Sequence, residues 1–294
     1  MAKLDTALVS SPALLESMDR LSADSGVSAR QNRLLASLPD EDYIRLAPYL
    51  GSVELRAGEQ LSESGTRQRY VYFPVSSVLS LQCILEDGAS CEIAAIGREG
   101  LFSASLLMDE ATASSEVLVQ SSGLAFRCAG HHFEREFQRG AAFQRLVLRH
   151  MQTLFMQVAQ TSTCNRGHSV EQRVCRWLLG MLERGAGTEL RVTQERLGCI
   201  LGVRRESVTE AAGRLQEAGV ISYRRGRVSV LAPRALAVRA CSCHGALKQL
   251  YERSLDLGHG AEPFPARTLH PIRVNSLRPT TFGSAPRELH AAAR

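Results

Sequence analysis

The sequence lacks the features that mark membrane proteins, secreted proteins and small disulfide-bonded domains. None of its apolar runs approaches the roughly 18–20 residues that a membrane-spanning helix needs. Residues 1–5 do not begin a charged segment followed by an apolar one, as a secretory signal would. The eight cysteines show no repeating spacing, so they do not resemble a disulfide framework. We therefore expect a cytoplasmic protein without membrane contacts, whose cysteines are reduced and mostly buried.

The sequence also lacks the motifs of common enzymes. It contains no glycine-rich phosphate loop, no nucleophile elbow around a serine and no His-x-x-x-His metal pattern. It therefore predicts no enzymatic activity and no catalytic residue. With 294 residues, of which 44% are hydrophobic, the chain can nevertheless bury a large core, and its length favours two domains.

Positive charge is unevenly distributed along the chain, whose net charge is only +5. Residues 166–231 contain twelve arginines and seven glutamates, and this difference of five equals the surplus of the entire chain. A basic segment joined to a balanced one is typical of a module that binds a polyanion such as nucleic acid. On charge alone, a solvated basic face without a partner is the alternative.

Local patterns divide the chain into segments and predict an α+β protein. Residues 1–30 are rich in Ser and Ala with weak periodicity, which favours a loose N-terminal arm. Residues 31–131 contain short apolar runs separated by turn residues, which predicts a compact β-roll or barrel-like domain. Residues 248–294 contain Pro, Gly, His and Arg without periodicity, so we predict a disordered tail there.

Apolar residues recur with heptad-like spacing in residues 132–165, which we interpret as one long dimerisation helix. The seam consists of Phe143, Val147, Met151, Leu154 and Val158. Such a seam predicts a partner, and a second copy of the same helix is the simplest one. The alternative is that the stripe packs back on the protein's own β-domain.

Residues 166–247 contain the pattern of a helix-turn-helix. Ser169 to Gln172 fits a capping box at the start of a first helix. Thr193 can cap a second, short helix, and Gly202 permits a sharp turn after it. The helix that follows is predicted to bury Val208, Ala212 and Leu215. In a helix-turn-helix, the N-terminal residues of this last helix face the major groove of DNA.

The start and exposed side of that helix carry the residues that we predict to contact DNA. These are Arg204, Arg205, Glu206, Thr209 and Glu210, together with the capping Thr193. Arginine can pair with guanine through two hydrogen bonds, and glutamate can accept one from cytosine. Because the helix dipole disfavours cations at this end, paired arginines indicate a partner rather than a solvated face.

A basic hairpin follows directly after the helix. Residues 220–230 alternate like two strands joined at Arg225-Gly226, and Arg224, Arg225 and Arg227 cluster at the tip. Such a tip is the usual place for a wing that touches phosphates. Helix, glycine turn, second helix and basic wing in this order predict DNA binding, and a winged helix used only for protein contacts is the alternative.

The order of β-rich domain, long helix and winged helix resembles the Crp/Fnr family of bacterial transcription regulators. The similarity is most specific in residues 192–231, and NRLLASLP at residues 32–39 resembles the opening of the family's sensor domain. The resemblance implies a cyclic-nucleotide-binding-like β-roll and a homodimer that binds an inverted repeat in double-stranded DNA. It also implies RNA polymerase as a partner. A regulatory subunit that uses the roll to bind another protein is the alternative function.

The chain departs from the family at the cyclic-nucleotide site. Relatives that bind cyclic AMP hold its ribose with a glutamate in a Gly-Glu-x-Gly-like loop, where this chain has Arg98 between Gly97 and Glu99. They hold its phosphate with an arginine, and residues 113–116 contain none. Because a buried phosphate without a cation opposite it is strongly disfavoured, we expect cyclic AMP not to bind.

A second departure lies in the predicted recognition helix. The family usually has Arg-Glu-Thr-Val-Ser-Arg, whereas residues 205–210 read RESVTE. The final glutamate, Glu210, cannot read guanine and repels nearby phosphate. We therefore expect a DNA half-site that differs from the family's common one.

No cofactor and no metal is predicted. Iron–sulfur members of the family carry an N-terminal cysteine cluster, but the first cysteine here is Cys83, so we expect no cluster. Residues 241–244 (CSCH) form the only tight Cys/His group, and three potential ligands favour an incidental helix end over a metal or redox site. A haem or redox role is a further alternative for residues flanking the long helix, namely His131, His132, Cys164 and His168.

Overall fold

The computed structural model of the protein describes residues 27–62, 69–84, 86, 90–102 and 115–256. The predicted N-terminal arm lies outside this part except for residues 27–30, and the predicted tail lies outside it from residue 257 onward. Among the helices of the described part, none is long and apolar enough to cross a membrane.

A β-rich domain forms where the short apolar runs predict it. Its strands are β1 (Gly51–Leu55), β2 (Gln60–Ser62), β3 (Tyr70–Pro74), β4 (Val78–Ile84), β5 (Ser90–Ile96), β6 (Ser115–Ser121) and β7 (Gly123–Ala129). Within the described residues they form two antiparallel sheets, ordered β1-β7-β3 and β2-β6-β4-β5. Fully buried apolar side chains such as Phe73, Leu79 and Phe126 form the core of this domain.

One buried side chain fixes the segment before the first strand to the roll. This segment contains α1 (Arg33–Ala36) and α2 (Asp40–Leu46). Asn32 caps α1 by accepting a hydrogen bond from the Leu35 N–H at 3.1 Å. The Nδ2 of the same residue donates to the carbonyl oxygens of Pro74 and Gly100, each at 2.8 Å. Because Asn32 is fully buried, these bonds satisfy polar groups that water cannot reach.

The helical segment predicted as a single helix over residues 132–165 is in fact two helices. They are α3 (Gly130–Gln138) and α4 (Ala141–Gly167). Gly140, with a φ of 79°, ends the first helix in a conformation that glycine adopts without steric cost. The break lets the two helices turn against each other, so that the rings of Phe133 and Phe143 meet edge to face at 5.2 Å.

The predicted seam on α4 faces the protein's own β-rich domain. Phe143, Val147 and Leu154 are buried in the cores of that domain, and Val158 packs beside them. The interpretation of this stripe as a contact with a second helix is therefore wrong for these residues. The alternative, that the stripe packs back on its own domain, is correct for these four, because the roll offers a large apolar surface within the same chain. Met151, the fifth predicted seam residue, is half-buried and belongs to none of the buried clusters of the described residues.

The segment after α4 forms a small α+β domain. Its elements are α5 (Val170–Glu183), β8 (Glu189–Arg191), α6 (Gln194–Leu201), α7 (Arg205–Glu217), β9 (Ile221–Arg224), β10 (Arg227–Val230) and α8 (Pro233–Arg239). The predicted capping box is present at the start of α5, between Ser169 and Gln172. Trp177, Leu178, Leu197 and Leu215 belong to a single buried cluster that joins these elements.

The predicted disorder of residues 248–294 is wrong for its first part, because α9 spans Cys243–Leu255. This helix packs along α4, where the hydroxyl of the buried Tyr251 donates to Oε1 of Gln157. Arg149 of α4 donates to the carbonyl oxygen of Asp256, just past the helix, at 2.6 Å. The sequence pattern is weak here because the contacts that hold α9 are partly polar.

We expect Asn32→Ala to lower the free energy of unfolding by about 2–4 kcal/mol, since it removes a helix cap and the donor for two carbonyl groups at a buried position. Ser169→Ala is the matched control, because Ser169 also caps a helix but is exposed. It should cost about 1 kcal/mol. Urea denaturation followed by circular dichroism measures both losses, and equal losses would contradict the role given to Asn32.

Candidate nucleic-acid interface

The helices α6 and α7 meet across Gly202 in the arrangement that the sequence predicts. Thr193 caps α6, because its hydroxyl oxygen accepts a hydrogen bond from the Arg196 N–H at 3.1 Å. Gly202 ends the helix in the left-handed conformation, with a φ of 60°. The turn is tight, since a Cβ added at Gly198 would lie 2.9 Å from the carbonyl oxygen of Val203.

The second of these helices, α7, has one buried and one exposed side. Its buried residues are Val208, Ala211, Ala212 and Leu215, which include the three predicted ones. Its exposed residues include Arg205, Glu206, Thr209 and Glu210. Arg204 is also exposed and occupies the N-cap position without a side-chain capping bond. The residues predicted to contact DNA therefore share one solvent-facing surface, and their contact with DNA stays a prediction.

One residue of this surface has a partner that sequence reasoning missed. The Thr209 hydroxyl donates to Oε1 of Gln194 at 2.7 Å, and it lies 3.1 Å from the carbonyl oxygen of Arg205. Gln194 begins α6, so this bond ties the exposed side of one helix to the start of the other. Because the two residues lie on different helices, local spacing carries no signal for their contact.

The predicted basic hairpin is formed by β9 and β10. Arg225 and Gly226 connect the strands with φ values of 48° and 73°, the signs required by a tight two-residue hairpin turn. Arg224 and Arg227 lie opposite each other, and all three arginines of the tip are exposed. Arg227 also donates to Oε1 of Glu189 on β8 at 3.0 Å. This ion pair is half-exposed and therefore weak, so a phosphate could compete for the arginine.

Tyr223 holds the hairpin against the helix-turn-helix. Its hydroxyl donates to the carbonyl oxygen of Val192 at 2.8 Å, and its backbone N–H donates to Oε1 of Gln216 at the same distance. Burial raises the pKa of Tyr223 to about 12, so the hydroxyl remains a donor at neutral pH. A further backbone bond, from the Val192 N–H to the carbonyl oxygen of Gly226, is 2.9 Å long. These bonds hold the wing to the residue before the Thr193 cap of α6 and to the last turn of α7.

The small domain is attached to the roll through buried contacts of α5 and of Arg184 just past its end. Val78 and Ala95 of the roll belong to the apolar cluster of the small domain. Arg184 Nε donates to Oε1 of Glu99 at 2.9 Å, in an ion pair whose side chains are 13% and 8% exposed. Trp177 Nε1 donates to Oε1 of Glu92 on β5 at 3.2 Å. Burial raises the pKa of Glu92, and a hydrogen bond from Ser80 opposes this shift.

The loop that would hold a ribose in cyclic-nucleotide-binding relatives is occupied by internal packing. Added Cβ atoms would lie 2.4 Å from Cβ of Arg184 at Gly97, and 2.2 Å from Cε1 of His150 at Gly100. Arg98 is exposed and donates to the carbonyl oxygen of the last residue of α5 at 3.1 Å. In the segment predicted to lack the phosphate-binding arginine, residues 113 and 114 lie outside the described residues.

Comparison with protein-family models matches residues 172–239 to the Crp-like helix-turn-helix domain. The matched region contains α6, the turn at Gly202, α7 and the wing, together with most of α5. This region of the chain is therefore similar to the Crp-like helix-turn-helix domain. The predicted resemblance to Crp/Fnr regulators is thereby confirmed. Comparison with curated protein sequences gives no match.

Two solved structures show how far the fold extends. A protein assigned to the Crp/Fnr family of transcriptional regulators, from Eubacterium rectale, has a TM-score of 0.56 at 17% identity. The match covers 71% of this chain and 98% of that one. FixK2 from Bradyrhizobium japonicum has a TM-score of 0.55 at 15% identity, covering 66% and 98% of the two chains. The chain therefore shares the fold of these proteins over nearly their whole length. Residues 172–239 also match the model of the Crp-like domain.

Proposed function

We propose that the protein is a sequence-specific DNA-binding transcription regulator of the Crp/Fnr type, and not an enzyme. The observation that carries this proposal is the shared exposed surface of α7 and the wing. Arg205, Glu206 and Glu210 on α7 and Arg224 and Arg225 at the wing tip are all exposed. We assign the first three to base edges and the two wing arginines to phosphates. Within the Crp-like domain, this division of roles is the one that a winged helix-turn-helix uses.

We propose that the regulator acts as a homodimer through the outward side of α4. This side exposes a line of residues three and four positions apart, namely Arg145, Leu148, Gln152, Phe155, Ala159 and Ser162. Leu148 is 54% and Phe155 70% exposed, which is unusual for large apolar side chains that share one helix face. A second copy of α4 would cover both residues in a heptad-like contact. Two-fold symmetry then implies an inverted-repeat site, and RNA polymerase is the further partner expected of such a regulator.

We propose further that the roll does not bind cyclic AMP or cyclic GMP. The loop around Gly97 and Gly100 is packed against α4 and α5, and Glu99 is engaged by Arg184 rather than free to hold a ribose. A ligand at the family's usual position would have to displace these contacts. The signal that reaches the DNA-binding domain would therefore be of another kind.

We expect a binding-site selection from random duplex DNA to enrich an inverted repeat whose half-site centres lie about one helical turn apart. Arg205→Ala should cost about 1–3 kcal/mol on the preferred site and relax one base position in each half-site. Glu210→Arg should strengthen non-specific binding and shift the preference toward guanine. If the protein retarded no DNA from the pool, the alternative function as a protein-binding subunit would be favoured.

Arg225→Ala should act differently, because a phosphate contact carries no base preference. We expect it to weaken binding to all sequences alike. The slope of log binding constant against log salt concentration should fall in magnitude by about one per lost contact, because fewer counterions are released. Arg234→Ala is the matched control, since Arg234 is an exposed arginine on α8, outside the predicted surface. It should change neither the motif nor the slope. An unchanged slope for Arg225→Ala would contradict the role of the wing.

We expect the double variant Leu148→Glu, Phe155→Glu to be monomeric in sedimentation, because two buried carboxylates would oppose the helix contact. The variant should remain folded, since both side chains are exposed within the chain. Val238→Glu is the control: Val238 is 87% exposed on α8, and the charge there should leave the dimer intact. A double variant that sediments like the wild type would reject α4 as the dimer contact.

We expect titration calorimetry of the full chain with cyclic AMP and with cyclic GMP to give no binding heat. Both nucleotides need an anchor for ribose and phosphate, and the loop carrying Arg98 and Glu99 is committed to other contacts. A dissociation constant in the micromolar range for either nucleotide would contradict this expectation.

A further inference from the structure

Four potential metal ligands converge where α4 ends and α9 begins. They are Cys164, His168, Cys241 and Cys243, and their ligand atoms all lie within 4.8 Å of one another. The Sγ atoms of Cys164 and Cys241 are 3.5 Å apart, and Cys243 Sγ lies 3.6 Å from Nδ1 of His168. The three cysteines are almost fully buried, and His168 is half-buried.

These separations fit one tetrahedral metal ion. With zinc–sulfur bonds of about 2.3 Å, the sulfur atoms of a tetrahedral site stand about 3.8 Å apart. Three cysteines and one histidine are a common donor set for structural zinc, and soft thiolates favour zinc over hard cations. A multinuclear iron–sulfur cluster is larger than a single ion and would need more widely spaced sulfurs. We propose that Cys164, His168, Cys241 and Cys243 bind one divalent ion of the zinc class.

Charge at the site supports this assignment. One divalent ion with three thiolates carries a net charge of minus one, which a nearby cation would balance. Arg173 and Arg176 of α5 both interact electrostatically with Cys164. Arg173 is 5% exposed, and the Nε atoms of both arginines are buried with no hydrogen-bond partner in the described part of the chain. Neither forms an ion pair with a carboxylate among the described residues. The buried Arg173 needs an opposite charge, and a thiolate-rich site supplies it. Arg176 is half-buried and also interacts electrostatically with the carboxylate of Glu92.

Simple apolar packing of the cysteines accounts for less of this geometry than metal binding does. Buried cysteines that act as small hydrophobes have no reason to direct three sulfur atoms and an imidazole nitrogen at one point. Gln160 also donates to the Sγ of Cys243, at 2.9 Å, which suits a sulfur that carries negative charge. A disulfide between Cys164 and Cys241 would use two of the four groups and leave Cys243 and His168 unexplained.

The position of the site gives it a structural consequence. Cys164 and His168 lie just before the Crp-like domain, and Cys241 and Cys243 lie just after it. One ion would therefore link the two ends of that domain. Arg173 also donates to the carbonyl oxygen of Leu201, the last residue of α6 before the turn. Metal binding would therefore stiffen the base of the helix-turn-helix. The assignment rests on the cluster itself and does not depend on DNA binding.

The first test uses the wild-type chain, purified under reducing conditions. We expect elemental mass spectrometry to find about one zinc per chain. The cobalt-substituted protein should show the intense visible absorption bands of a tetrahedral, thiolate-bound ion. Bound zinc should slow the alkylation of Cys164, Cys241 and Cys243 beyond the protection that their burial alone gives, while the exposed Cys199 reacts. A chelator should remove the protection. Absence of stoichiometric metal, bound iron with sulfide, or a Cys164–Cys241 disulfide in the metal-free protein would overturn the proposal.

The second test compares variants of the full chain. Cys243→Ser and His168→Gln should each lower the affinity for zinc by about 100-fold or more, since even the loss of an outer-sphere partner costs up to about that factor. Cys199→Ser is the matched control and should bind zinc like the wild type, because Cys199 is exposed on α6. Circular dichroism of each variant checks its folding. Unchanged zinc affinity in Cys243→Ser would overturn the proposal, whatever the protein does with DNA.

Discussion

The packing of α4 on the β-rich domain is the contact on which the rest of the structure depends. Phe143, Val147 and Leu154 bury the inward side of this helix in the roll. Because that side is committed, the outward side carrying Leu148 and Phe155 is the one that a second copy can cover. The same helix supports α9 along its length and brings Cys164 to the base of the DNA-binding domain. The burial of one side of α4 thus fixes the positions of its outward side, of its contact with α9 and of Cys164.

The connection between roll and helix-turn-helix combines apolar and polar contacts, and Val78 and Ala95 of the roll belong to the buried apolar cluster of the small domain. Arg184 and Glu99 form a buried ion pair, and Trp177 donates to a buried Glu92. Such pairs contribute little net stability compared with apolar side chains of similar size, but breaking one partner is costly. Loss of Arg184 or Glu99 alone would therefore leave an uncompensated buried charge between the two domains.

The predicted DNA-binding surface has internal partners of its own. Thr209 is bonded to Gln194, and Arg227 is paired with Glu189. These bonds hold the two side chains in place, and DNA bound at the predicted surface would have to compete with them. Arg205, Glu206 and Glu210 point from a helix whose other side is fully buried, so the backbone that carries them is rigid. Base preference would then depend on Arg205, Glu206 and Glu210. Thr209 and Arg227, which are already bonded within the protein, would adjust to the backbone of the duplex.

The sequence by itself determined the elements that local chemistry specifies. The capping serine and threonine, the glycine at residue 202, the alternating strands and the basic hairpin turn are all set by residues within a few positions of one another. Tertiary structure decided which face of α4 is buried, because a heptad stripe is equally compatible with a roll or with a second helix. It also decided that residues 248–255 are helical, since the contacts of Tyr251 and Asp256 lie about 100 positions away in α4. The cysteine cluster shows the same limit: residues 241–244 offer three ligands by spacing, whereas the fold selects Cys241 and Cys243 and adds Cys164 and His168 from a distant helix. No local pattern encodes a site whose two halves meet only after the chain has folded.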